Sequence, residues 1–458
     1  MPFIENVKTF VLWAMILTSV VLTYLVSTYQ PAYNVLDQGD NSYIEIEDIG
    51  ETKSFTDLLY PSQVISHSGS DRSWVHPAGD NYLEIMETLQ EFELEEMELT
   101  GSHHAPGVNR SFNGMELIFD EPLEGDWLEY LVGIDEDMIL IDRVDRIIVT
   151  ETSGGTPSDV AIRFVDMEAE EVYQSPTSVT VSDLESFSQG IALEETEVEP
   201  RVLNERDDSS FQPVRYLPVE PVMERVFTYE TTHIAPDGFI QTLFTDPDYV
   251  RQYFQEGEDS SYTDGTRMMD MTNRGAVLEY VRPDLTAGSQ VPTQSIVRAS
   301  QEFINGHFGW TDDFYATSWS EGGSNDRASF TMHVQGMPVF DSNAGSASHY
   351  TIDITRSGNE IIEYSRPMFQ LEERPFEIDT NVELPPYSEV ETYIEEEMST
   401  FPVETVEDAR VAYSMSRQNS IAVFEPVWFV YARGQWHEVD MNSESVTEEV
   451  LEDGLEQD

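Results

Sequence analysis

Nineteen consecutive residues without a charge, Thr9 to Ser27, constrain this chain more than any other feature. At about 1.5 Å per helical residue the run reaches roughly the 30 Å hydrocarbon thickness of a bilayer. Nothing comparable follows, so the sequence predicts a cytoplasmic N-terminus at 1–8, a single N-terminal transmembrane helix at 9–27 and a large body beyond it. Lys8 precedes the run and the next cation is Lys53. The positive-inside bias therefore predicts a single-pass protein of the cell membrane with its N-terminus in the cytoplasm and its body extracytoplasmic. Removal of the run as a signal peptide would need a small-x-small site, and Tyr29, Gln30 and Pro31 occupy that stretch. Ser19, Thr23 and Ser27 fall at i, i+4 and i+8, a stripe of small polar residues on a bulky apolar helix. Such a stripe either receives a partner helix or bonds back to its own helix's carbonyls.

Charge narrows the setting. There are 88 Asp plus Glu against 23 Lys plus Arg, a formal net charge of −65, and the only lysines are Lys8 and Lys53. Arginine keeps its charge where lysine titrates, near pH 10.4, which suits an alkaline exterior; high salt, which would screen the acidic surface, suits it equally. A charge of this sign argues against nucleic acid, anionic lipid and anionic wall polymers as direct partners, since each is repelled unless cations bridge it. With no cysteine, disulfides, thiolate metal sites and cysteine nucleophiles are excluded too.

The body reads as α+β, with antiparallel sheets and packed helices. An N-terminal α+β domain is expected at 40–200. It carries a strand at Gln63–Ser66, a helix with Tyr82, Ile85, Met86, Leu89 and Phe92 on one face, and strands at Met115–Phe119, Arg146–Thr150 and Val160–Val165. Polar, charged residues from Glu194 to Gln212 mark the first boundary. A central α+β domain is expected at 211–290, closing with strands that flank Asn273, Arg274 and Gly275. A C-terminal helix-plus-sheet domain follows at 291–441, in which a helix and then strands occur twice. Its first helix carries Ile296, Val297, Ser300, Phe303, Ile304 and His307; its second opens on a capping box, Ser388 with Glu391. The turns Gln335–Phe340 and Arg433–Val439 echo each other across the two units, a weak repeat that convergent hairpin chemistry explains as well. The tail, 442–458, is acidic and expected to be disordered.

Chemistry is scarce. Without a Gly-Lys pair, an S-x-x-K, a G-x-S-x-G, a G-x-G-x-x-G or an H-E-x-x-H, the sequence predicts no catalytic residues, no cofactor and no metal. Asp135 with Asp137 and Asp246 with Asp248 lie outside any Ca²⁺-loop pattern. One polar cluster stands out, Tyr262, Asp264, Gly265 and Arg267: Asp264-Gly265 favours a tight turn, from which Arg267 could reach a carboxylate.

These residues carry a resemblance. The N-terminal run continuing into Thr28-Tyr29-Gln30-Pro31-Ala32-Tyr33, then LFTDPDYV at Leu243–Val250, YTDGTR at Tyr262–Arg267 and LEYVRP at Leu278–Pro283, together resemble the YycH family over essentially the whole chain. The C-terminal segment also resembles YycI through FINGHFGW at Phe303–Trp310, a G-x-P-V strand and Pro426-Val427-Trp428. The resemblance implies a non-enzymatic, membrane-anchored regulator of a WalK (YycG) type sensor histidine kinase. It implies a YycI-like single-pass partner, contacts through membrane helix and exterior, three extracytoplasmic domains and an influence on cell-wall homeostasis. The loosely PepSY-like twin units leave a second reading, an extracytoplasmic binding or protease-inhibitor module.

Overall fold

The computed structural model describes residues 49–77, 81–101, 104–152, 160–184, 195–207, 209–254, 259–283, 292–340, 349–376, 380–398 and 400–441, together with Trp13, Met15, Leu17, Thr18 and Ser19. Those last five are helical and exposed. The rest of 9–27, including Thr23 and Ser27, lies outside the described residues, as do 1–8 and the tail 442–458. Among the described residues no helix is long and apolar enough to cross a membrane.

Alternating apolar residues build a nine-stranded antiparallel sheet in the order Glu98–Thr100, Glu171–Pro176, Val160–Asp166, Arg143–Glu151, Phe112–Glu124, Gln63–Gly69, Asp71–Val75, Glu195–Val202 and Val214–Pro218. Register places Val64, Leu117, Ile147 and Phe164 in one cross-strand row. All four are fully buried. The helix Asn81–Gln90 buries Tyr82, Ile85, Met86 and Leu89, as its periodicity predicts. Tyr82 is a knot as well as an apolar contact: its hydroxyl accepts from Val64 N and Trp74 Nε1, each at 3.0 Å, and donates to Val75 O at 2.9 Å.

The polar stretch read as a boundary at Glu194–Gln212 supplies the strand Glu195–Val202. Its period of two is there, with Val198 buried between exposed Glu197 and Glu199. Acidic residues on its solvent face hide the pattern.

The remaining chain folds chiefly into a fourteen-stranded sheet that draws strands both from Phe227–Val281 and from Phe314–Val439. It consists of two antiparallel stretches, one accompanied by the helix Ile296–Gly306 and the other by Tyr387–Glu396. A parallel pairing of Met337–Phe340 with Val406–Gln418 joins them. The echoing turns are matched hairpins: Gln335 and Gly336 have φ 50° and 81°, Arg433 and Gly434 have φ 53° and 79°. Two consecutive left-handed residues match the twist of the flanking strands.

The second helix corrects one expectation. Its N-cap is Pro386, with no side-chain cap, so Ser388 and Glu391 form no capping box. Tertiary contacts fix this end instead. Tyr387 is buried against Trp428, ring centroids 5.8 Å apart, and Trp428 Nε1 donates to Pro385 O at 3.0 Å.

Candidate functional site

Among the contacts that join the parts of the described body, two joints use different chemistry. The first grips the chain where it arrives from the N-terminal run. Gly50 N donates to Phe308 O at 2.9 Å, while Glu51 and Trp310 exchange N–H···O bonds of 2.8 Å in both directions. One step on, Lys53 N donates to Asn305 Oδ1 at 3.1 Å, and Lys53 O accepts from Gln301 Nε2 at 2.7 Å and Asn305 Nδ2 at 2.9 Å. Trp310 Nε1 fixes the same Asn305 Oδ1 at 2.9 Å. Residues 50–53 are thus clamped to the helix Ile296–Gly306 and the loop that ends it.

Glycine makes the clamp possible. A Cβ on Gly50 would lie 2.3 Å from Trp310 O, and one on Gly309 2.3 Å from Glu51 O, so two backbones meet at a separation closed to any other residue. Phe308 sits at φ 71° beside Gly309 at φ 71°. A bulky residue in the left-handed region costs of order 1–3 kcal/mol and persists where the surroundings enforce it. Here the Phe308 ring is held against Phe239, centroids 5.4 Å apart. His307, read from sequence on an apolar helical face, stacks on Phe303 at 4.0 Å and its Nδ1 donates to Phe303 O at 2.6 Å. Burial lowers its pKa. Lys53, half of the chain's lysine, lies over the Tyr315 ring at 4.9 Å and 3.6 Å from Asp313. Burial lowers its pKa despite the nearby carboxylate.

The second joint is a half-buried charge network between the two large sheets. Arg410, from Val406–Gln418, forks onto Asp120 of Phe112–Glu124 with bonds of 2.9 and 2.7 Å. The same guanidinium bonds Asp408, which also accepts from Arg215 Nε at 2.9 Å. Burial would raise the Asp120 pKa, but Arg410 holds it below the usual carboxylate range; burial would lower that of Arg410, and the two aspartates raise it. Beside this network a cavity of about 40 Å³, walled by Tyr60, Trp74, Tyr82, Tyr315 and His333, has room for a few waters. Tyr60 stacks on Tyr315 at 4.2 Å across the joint. His333 Nδ1 donates to Thr331 O at 3.0 Å, and burial pushes its pKa down to about 4.

The Tyr262–Arg267 cluster is a structural turn. Asp264 Oδ1 accepts from Thr266 N at 2.8 Å and Arg267 N at 2.9 Å, with Gly265 at φ 93°. Tyr262 is buried and its hydroxyl accepts from Gln252 at 2.9 Å. Arg267 departs from expectation: it donates to Leu243 O at 2.7 Å rather than returning to a carboxylate. Leu243 ends the helix Asp237–Leu243, where carbonyls lack helical partners and attract a cation. Of the predicted membrane stripe only Ser19 is described, exposed and helical. Among the described residues no group of His, Asp or Glu could hold a metal ion.

The clamp is not legible in the sequence, although Asn305, Phe308, Gly309 and Trp310, its partners for residues 50–53, lie within the FINGHFGW segment. Its sequence signal was faint: a glycine beside a bulky apolar residue at both ends, Gly309-Trp310 and Ile49-Gly50.

Comparison with known proteins decides the family. The YycH protein C-terminal domain model matches residues 213–445 and the N-terminal domain model matches residues 5–189. The chain belongs to the YycH family. A curated relative, the two-component system WalR/WalK regulatory protein YycH of Bacillus subtilis (strain 168), is 21% identical over 467 residues, spanning 94% of this chain and 95% of the relative. The crystal structure of YycH from Bacillus subtilis superposes with a TM-score of 0.67 at 16% identity, covering 86% of this chain and 98% of that one. At that identity the superposition shows a shared fold, the antiparallel-sheet-rich α+β body of the family.

Proposed function

We propose that this chain is a membrane-anchored extracytoplasmic regulator of a WalK-type sensor histidine kinase rather than an enzyme. The observation that carries the reading is the near end-to-end match to a WalR/WalK regulatory protein. The clamp supplies a physical route. A helix at Thr9–Ser27 that packs against the kinase delivers its position to the body through Gly50–Lys53, which Asn305 and Trp310 hold rigidly. A partner shifts a two-state kinase only by the difference in its affinity for the two states, and a rigid link lets both helix and body contribute to that difference. A YycI-like single-pass protein joins the assembly, with Ser19, Thr23 and Ser27 facing a neighbouring helix, and the output bears on cell-wall homeostasis.

The test is affinity capture of the intact protein from native membranes. Recovery of a sensor histidine kinase with a second single-pass protein supports the reading; recovery of a secreted hydrolase instead would replace it with the inhibitor-module reading.

A further inference from the structure

The clamp has an open side. Gly50, Glu51, Thr52, Asn305, Phe308 and Gly309 wall a pocket of about 380 Å³ that opens to solvent beside the end of the helix Ile296–Gly306. Its chemistry follows from how that helix stops. In a continuing helix Asn305 O and Gly306 O would accept from the amides one turn on, Gly309 N and Trp310 N. Gly309 N instead returns to Ile304 O at 2.9 Å, and Trp310 N goes to Glu51 O at 2.8 Å. Both carbonyls are left without their helical donors, at the negative end of the helix dipole. Asn305 Oδ1 is already shared between Lys53 N and Trp310 Nε1, so the acceptor Asn305 has to spare is its carbonyl.

No cation of the clamp is turned to this pocket. The last turn of the helix contains no basic residue. His307 is stacked on Phe303, with its pKa lowered by burial. Lys53 is turned to Tyr315 and Asp313, and Arg366 serves Gly309 O from the buried side, along with Pro367 O and Thr311 Oγ1. Glu51 adds a carboxylate to the wall. At two other helix ends the same chain supplies an arginine. Arg267 donates to Leu243 O, on the last residue of Asp237–Leu243, at 2.7 Å, and Arg433 donates to Thr400 O at 3.1 Å, just beyond Tyr387–Glu396.

We propose that this pocket receives the guanidinium of an arginine from a partner protein, which bonds Glu51 and the last carbonyls of the helix. A planar fork of N–H donors suits a carboxylate set beside carbonyl oxygens, and the space exceeds by far what one water or bare ion fills. A cation held from both sides ties residues 50–52 to the helix end and tightens the clamp. The partner belongs to the membrane assembly proposed above, so the inference rests on that reading for its setting. Its test uses small probes and no kinase: a failed pocket leaves the regulatory reading standing, and failed capture of a kinase leaves the pocket standing.

The experiment is hydrogen exchange of the full-length protein in nanodiscs, at about 0.15 M salt to screen the acidic surface, with millimolar N-acetylarginine amide as the probe. A ligand that binds the closed clamp slows its opening by mass action, so exchange at residues 50–52 and 308–310 should slow several-fold and saturably. N-acetylcitrulline amide, the uncharged isostere, should leave it unchanged, and N-acetyllysine amide should act more weakly. Glu51 is exposed, so Glu51→Gln leaves the fold intact; it should weaken the arginine probe about two- to fivefold. Equal slowing by citrulline or by lysine overturns the guanidinium assignment, as does an undiminished response in Glu51→Gln. Equal slowing across the acid-rich segment 93–98 would reveal a diffuse counterion atmosphere and overturn the pocket.

Discussion

The seam between the sheets and the clamp at Gly50–Lys53 perform the same task with opposite means. At the seam two arginines and two aspartates, paired across 193 and 290 residues of chain, are largely withdrawn from solvent. At the clamp two glycines let backbone touch backbone, and amide side chains close it. A second charged knot, within one sheet, sharpens the contrast. Glu116 accepts from Arg146 at 2.6 Å, Tyr216 at 2.7 Å and His67 at 3.1 Å. Burial would raise its pKa, and Arg146 with His67 pulls it down to about 2. Charge is thus used where sheets and strands must be oriented, and close packing where a segment must be held with little freedom. In an acidic chain with almost no lysine, arginine carries the orienting role because it stays charged and forks onto carboxylates.

Breaking the seam should cost most. Arg410→Met leaves Asp120 and Asp408 without their shared cation, and stripping one partner from a buried pair costs about 3–5 kcal/mol. Denaturant unfolding should show it as a lowered midpoint, with hydrogen exchange at Gly50 and Glu51 unchanged while the protein remains folded. Exchange rising at those amides before global unfolding would show that the two joints are one unit.

Breaking the clamp should be smaller and local. Gly309→Ala places a Cβ 2.3 Å from Glu51 O at φ 71°, a combined overpacking and backbone strain of about 2–4 kcal/mol. Faster exchange at the Gly50 and Glu51 amides with a nearly unchanged midpoint is the expected result. Asn305→Ala, which frees Lys53 N and Trp310 Nε1 and leaves Lys53 O with Gln301 alone, should do the same by about 1–3 kcal/mol. An unchanged exchange pattern in both variants would remove the clamp as a distinct joint.

Acid should separate the joints further. His333 is pushed down to about 4 in the fold against about 6.5 for a free side chain. Between those values the unfolded chain binds more protons, so the stability linked to neutral His333 is complete above pH 6.5 and is lost as pH falls toward 4. Asp120, held below its ordinary value, keeps its contribution down to strong acid. His333→Gln should flatten stability across pH 4 to 6.5; an undiminished slope would assign the proton uptake elsewhere.

The smallest effect lies at high pH. Lys53 is lowered from 10.5, so as pH rises toward that value the folded chain sheds its proton first and the clamp tightens. Exchange measured relative to intrinsic rates should slow at Glu51 over that window, and Lys53→Met should abolish the change.

Local pattern revealed the elements and hid both joints. Tyr82, Ile85, Met86 and Leu89 declared their helix by spacing, and Gln335-Gly336 and Arg433-Gly434 declared hairpin turns, because those signals are set by neighbours in sequence. Asp120 and Arg410 are partners only through sheet packing, and among 88 acids no spacing singles out Asp120. The Ser388 cap failed because the burial of Tyr387 fixes the helix start. Arg267 was read as a seeker of carboxylates, and a helix's last carbonyl stood nearer.

The proposed regulation rests on the clamp transmitting between a helix at Thr9–Ser27 and the body, and reconstituted kinase autophosphorylation tests that most directly. A WalK-type kinase in vesicles should respond to the intact protein and lose that response with Gly309→Ala, although the variant inserts, folds and co-purifies with the kinase. An equal response from both proteins would contradict transmission through Gly50–Lys53.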